Sequence, residues 1–207
     1  PAGWAMTQVN LGNALARLGE RGDDAALADS VQAFRAALEV LTRDRDLAGW
    51  AVTQMNLGNA LLSLGERGDD AALADGVQAF RAALEVRTRD RDPAGWAVTQ
   101  MNLGNALARL GERGDDAALA DSVQAFRAAL EVLTRDRDPA GWAMTQVNLG
   151  IALLRLGERG DDAALAEART VVTGALEILT VDRFAAYNAV AVSLLAAIEA
   201  IIRARGS

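Results

Sequence analysis

Apolar residues recur along this chain at helical spacing in two stripes, and the pair of stripes itself repeats. Trp4, Leu11, Leu15 and Leu18 mark a first helix. Leu27, Val31, Phe34, Leu38 and Leu41 mark a second. The link Glu20-Arg21-Gly22 is so short that the two helices should lie antiparallel as neighbours. Trp4, Trp50, Trp96 and Trp142 then stand 46 residues apart, and residues 1–46 differ from residues 93–138 at two positions only. A period in this range marks a repeat array. The pattern predicts four helical hairpins, 1–46, 47–92, 93–138 and 139–184. One hairpin alone cannot bury its stripes, but stacked hairpins can.

The boundaries have local causes. Asp92-Pro93 and Asp138-Pro139 place a capping carboxylate before a proline at the first helical position. Gly19 is the expected stop of the first helix, and Asp23 or Asp24 the expected cap of the second. Gly12, Gly58, Gly104 and Gly150 lie inside the first helices, where glycine costs ~1 kcal/mol against alanine. Their expected role is to let a neighbouring helix approach closely. The four tryptophans are expected as core staples, each where a first helix meets the preceding second helix.

The tail departs from the pattern. From Glu167 the fourth block drifts, and residues 185–204 read as one more helix. Residues 185–207 are expected to act as a capping or association segment. A terminal cap should turn a polar face outward. Val190, Val192, Leu194, Leu195, Ile198, Ile201 and Ile202 instead spread around most of this helix. Part of that surface should pack on the fourth repeat, and the rest meet a second copy of the chain or a further domain. The chain opens at Pro1 in mid-pattern, as an excised piece of a longer array would, and Gly206-Ser207 reads as an appended remnant.

Composition narrows the chemistry. With 207 residues, half of them hydrophobic, the chain can bury a sizeable core. It contains no cysteine and no histidine, so disulfides, thiolates, imidazole bases and the commonest metal ligand are all missing. The net charge of −7 argues against nucleic acid and anionic membrane as partners. No signal peptide is visible, and Val190–Ile202 is too short to span a bilayer, so a cytoplasmic location and no membrane partner are expected.

Leu11-Gly12-x-x-Leu15, then Ser30-x-x-x-Phe34-x-x-Ala37, then Pro93 opening a later block, resembles the tetratricopeptide repeat (TPR). The departures are a unit of 46 residues rather than 34, and a tryptophan one helical turn earlier than in that family. Asn10-Leu11-Gly12-Asn13-Ala14-Leu15 is similar to the long-repeat branch: kinesin light chain, Pins-type polarity adaptors, and bacterial arrays joined to signalling ATPase or caspase-like domains. The resemblance implies an all-α, right-handed superhelical solenoid of hairpins with a C-terminal helix. It also implies a protein-interaction scaffold that holds a peptide or partner helix on its concave face. The main alternative is a structural spacer, or a homodimer formed through residues 185–204.

Differences among the blocks fall chiefly at block positions 6, 9, 13, 16 and 17, on one face of the first helix. The resemblance makes that face the groove lining. The candidate binding residues are therefore Met6, Val9, Val52, Met55, Val98 and Met101, with Asn13, Asn59 and Asn105, and Arg17, Arg109 and Arg155. An asparagine amide donates and accepts at once, which suits a peptide backbone. Arginine can take a carboxylate bidentately. Two plainer readings stand beside these. The Met/Val exchanges conserve volume as packing would demand, and the arginines can be solvated helix ends. Asn10, Asn56, Asn102 and Asn148 are expected to hold neighbouring helices together. No pair of carboxylates is singled out for acid–base work, no spacing matches a metal or phosphate loop, and neither an enzyme nor a cofactor is expected.

Overall fold

The computed structural model describes residues 1–206, which are all-helical, without a strand. The helices are α1 (Ala2–Glu20), α2 (Asp24–Val40), α3 (Leu47–Glu66), α4 (Asp70–Leu84), α5 (Pro93–Glu112), α6 (Asp116–Leu130), α7 (Pro139–Glu158), α8 (Asp162–Leu176) and α9 (Val181–Gly206). They form two compact units, Pro1–Leu110 and the remainder from Gly111. Adjacent helices pack as tandem hairpins: α1 on α2 and α3 on α4 in the first unit, α7 on α8 in the second. Three second helices also meet the first helix that follows them, α2 with α3, α6 with α7 and α8 with α9.

The caps are chemically uniform. Asp23, Asp69, Asp115 and Asp161 accept from the backbone N–H three residues on, at 2.9–3.0 Å. Asp46, Asp92 and Asp138 do the same for the first helices at 2.9 Å. The stop of the first helix differs from the expectation. Gly19 lies inside α1, and the turn falls to Gly22, whose φ is +103°. Gly22 N donates to Gly19 O at 2.8 Å and Asp23 N to Leu18 O at 3.3 Å, the paired bonds of a Schellman turn. Gly19 is glycine for another reason. A Cβ there would stand 2.8 Å from the Leu27 Cβ.

The interior of each hairpin is built from the second helix. Leu27, Phe34, Leu73, Phe80, Leu119 and Phe126 are fully buried. A Cβ on Gly12 or Gly58 would stand 2.7 Å from the ring of Phe34 or Phe80. The close approach is thus a phenylalanine ring seated on bare helix backbone. In the fourth block Val172 fills the site of that ring, against Gly150.

The tryptophans sit at the edge of the interior. Trp4 is exposed, and Trp50, Trp96 and Trp142 are half-buried. The Arg43 guanidinium lies 5.2 Å from the Trp50 ring centre and Arg135 lies 5.8 Å from that of Trp142. An arginine from the preceding connection thus lies over each of these two rings.

Residues 181–206 keep the repeat register. Thr180, Asp182 and Arg183 stand 46 residues after Thr134, Asp136 and Arg137. Phe184, at φ −140° and ψ 45°, is non-helical, as is the N-cap Asp138 at φ −143° and ψ 79°. Its N–H donates to Thr180 O at 2.9 Å, as Asp138 N does to Thr134 O at 3.0 Å. The body of α9 therefore stands in the register of a first helix, and Arg205-Gly206 align with Arg159-Gly160. The helix also extends well beyond Val190–Ile202. By length and composition it is long and apolar enough to cross a membrane.

Candidate functional site

The hairpins are joined by polar links that recur with the repeat. The Arg67 guanidinium spans from the carbonyl of Gly19, at the end of α1, to Asp24, at the start of α2. Arg159 repeats this with Gly111 O (2.6 Å) and Asp116, and Arg205 with Gly157 O (2.7 Å) and Asp162 (2.6 Å). Each arginine adds a charge-assisted donor to a helix-end carbonyl that already accepts the turn's backbone N–H, and pairs with the acid of the next N-terminus. Second helices are tied by Arg35 with Asp75 and Arg127 with Glu167.

The two asparagine rows form one device. Asn56 Nδ2 donates to Asn13 Oδ1 at 3.1 Å, and Asn102 Nδ2 to Asn59 Oδ1 at 2.8 Å. The expected inter-helix role of the Asn10 row therefore includes the Asn13 row as acceptor. Both rows are half-buried from α3 onward, which makes a partnered amide necessary. The partner lies 43 residues on. In the fourth block the pair becomes Ile151 and Leu194, so both polar ends are replaced together.

A groove of about 360 Å³ opens between α1 and α3. Asn13, Ala16, Arg17 and Glu20 form one wall, Asn56, Asn59, Ala60 and Ser63 the other, and Leu27 and Phe34 of α2 the floor. Its position follows from one residue. Arg109 pairs with Glu66 at 3.3 Å, a link from one first helix to the end of the previous one. At the equivalent step Ser63 stands in place of arginine, so nothing bridges back to Glu20. Among the described residues Arg17 and Glu20 make no ion pair, and both charges face the opening.

The other candidates separate. Arg155 pairs with Glu158 on its own helix at 2.9 Å. Val9 belongs to the hydrophobic interior at 8% exposure, which closes it to a ligand, because its face of α1 turns toward α2 and α3. Met55 and Met101 are half-buried, and the Met55 sulfur accepts from Arg87 Nη1 at 2.9 Å. Met6, Val52 and Val98 remain exposed along one edge. Asn105 has bonding partners and lies half-buried. Sequence reasoning missed Glu20 and Ser63 as groove residues. The broken arginine row was the signal that could have found them.

Arg87, which replaces leucine at block position 41, donates its Nε to Asp92 Oδ2 at 2.9 Å. The backbone N–H of Gly95 and this guanidinium together hold the Asp92 carboxyl below the usual carboxylate range. Asp92 caps α5 through the Gly95 N–H. Among the described residues no cluster of carboxylates could hold a metal ion. Comparison of the chain with protein-family models finds no match, and none of the curated proteins matches it.

Proposed function

We propose that the chain is a TPR-like α-solenoid, a right-handed stack of hairpins that serves as a protein-interaction scaffold. Its primary binding element is the α1/α3 groove. The observation that supports this reading is the pair of unpaired opposite charges, Arg17 and Glu20, beside the Asn13 and Asn59 amides over an apolar floor. Such a lining suits an extended peptide. The amides would address its backbone, and Arg17 would take a carboxylate. The exposed Met6, Val52 and Val98 add shallow apolar contact along the same helices. No step of chemistry is assigned, and a cytoplasmic location is part of the same proposal.

The experiment is a peptide-display selection on the whole chain, followed by titration of the selected peptides against Ser63→Arg. The substitution restores the arginine row and places a guanidinium opposite Glu20. Affinity should fall at least about tenfold, which is ~1.4 kcal/mol. Peptides that bind the variant equally well would remove the groove from the account.

A second reading is association through α9, favoured by the exposure of Tyr187, Val190 and Val192. Light scattering on Val190→Asp with Val192→Asp tests it. A dimer mass that halves in the variant supports it, and a monomer mass in both rejects it.

A further inference from the structure

One acid in the α1/α3 groove lacks a partner because of a residue inside the chain. Arg109, at block position 17, reaches back from α5 to Glu66 at the end of α3. Glu20 is the equivalent of Glu66, and the residue that faces it from α3 is Ser63. A serine side chain is too short to carry a cation to that carboxylate. A second position is small at the same step, since Ala16 stands where α3 carries Leu62. Both Ala16 and Ser63 line the opening of about 360 Å³. The room that an arginine side chain at position 63 would take is therefore part of the groove. Glu20 is the one acid in its lining, and it has no ion-pair partner among the described residues.

We propose that the groove selects a peptide carrying an arginine, whose guanidinium pairs with Glu20 in the place that Ser63 leaves open. The inference rests on the α1/α3 groove being the binding element, and it names the side chain that element reads. The Arg109–Glu66 pair one step along is the template, with the arginine supplied by the ligand instead of by the next helix. Charge favours this occupant, because a chain of net charge −7 draws a cation to its free carboxylate. Arginine suits the place better than lysine. Its planar fork can meet the carboxylate and still donate to the Ser63 hydroxyl, whereas an ammonium is a point charge. Arg17, one turn earlier on α1 and in the same lining, repels a second cation. The ligand is thus a segment with one arginine, and a polybasic stretch is the poorer fit.

The test takes peptides selected from a random display library on the whole chain, which should share an arginine. Each is then synthesised with arginine, lysine or citrulline at that position, citrulline being the neutral counterpart of nearly the same shape. Citrulline should weaken binding at least about fivefold, and lysine less. Glu20→Gln in the protein should weaken binding of the arginine peptide as much, with the melting temperature checked to exclude unfolding. Citrulline and Glu20→Gln together should cost no more than either alone. The proposal is overturned, with the groove still the binding element, by peptides that lose affinity to Ser63→Arg yet share no arginine or bind Glu20→Gln unchanged. Peptides that ignore Ser63→Arg, or a selection that yields none, remove the groove itself and the proposal with it.

Discussion

Arg205 donates to the carbonyl oxygen of Gly157 at 2.7 Å, the bond that Arg159 makes to Gly111 at 2.6 Å one block earlier. This relationship places α9 in the repeat as a first helix. It also locates where the tail is held. Arg205→Ala removes a partly buried, charge-assisted contact to the end of α7 and to Asp162. The expected loss is about 1 kcal/mol, the low end for such bonds because the side chain is one-third exposed. Urea unfolding followed by circular dichroism checks it. Arg205→Lys should recover little, since one ammonium cannot reach both acceptors in a fork.

Gly58→Ala sets two effects against each other. Helix propensity favours alanine by ~1 kcal/mol. The added methyl meets the Phe80 ring at 2.7 Å, tighter than packing allows, and overpacking of this kind costs roughly 1–3 kcal/mol. The clash should win, lowering the denaturation midpoint. Adding Phe80→Val, the solution found beside Gly150, should return part of the loss.

The asparagine ladder predicts coupling. Asn13→Ala leaves the Asn56 amide without its acceptor and should cost about 1 kcal/mol. Asn13→Ile with Asn56→Leu copies the fourth block's own replacement at Ile151 and Leu194. The double variant should be more stable than the sum of its single variants, read as a double-mutant cycle from unfolding curves.

Asp92 gives a pH dependence. Its folded pKa is lowered, chiefly by the Gly95 backbone hydrogen bond and then by Arg87. The stabilisation is therefore complete above the unfolded carboxylate value of about 3.9 and is lost as pH falls through the folded value. Its exposure keeps the contribution small. Thermal melts of the protein and of Asp92→Asn should differ at neutral pH and converge in acid. A constant difference down to about pH 2 would contradict this linkage.

Hairpins and caps were legible in the sequence because each has a local cause. The apolar spacing from Leu27 to Leu41 fixes a buried stripe, and Asp46 or Asp138 fixes a start. Gly19 misled, because glycine marks both a left-handed turn and a close helix contact, and the sequence does not distinguish them; the turn is three residues on, at Gly22. The register of α9 was obscured by its apolar drift, although Thr180, Asp182, Arg183 and Arg205 keep it. The pairing of Asn13 with Asn56 was not legible. It depends on two first helices lying side by side at an offset of 43 residues, a tertiary relation with no local signature. Only three groove positions, Asn13, Arg17 and Asn59, were among the predicted binding residues. The opening itself arises from an absent side chain at Ser63.

Amide hydrogen exchange on the intact chain tests the central claim, that α9 packs on α8 in the register of a first helix. Amides from Ala189 to Ile202 should exchange as slowly as those of α8, on which that helix rests. Exchange of α9 at the rate of an unstructured chain, with α7 and α8 still protected, would contradict the account.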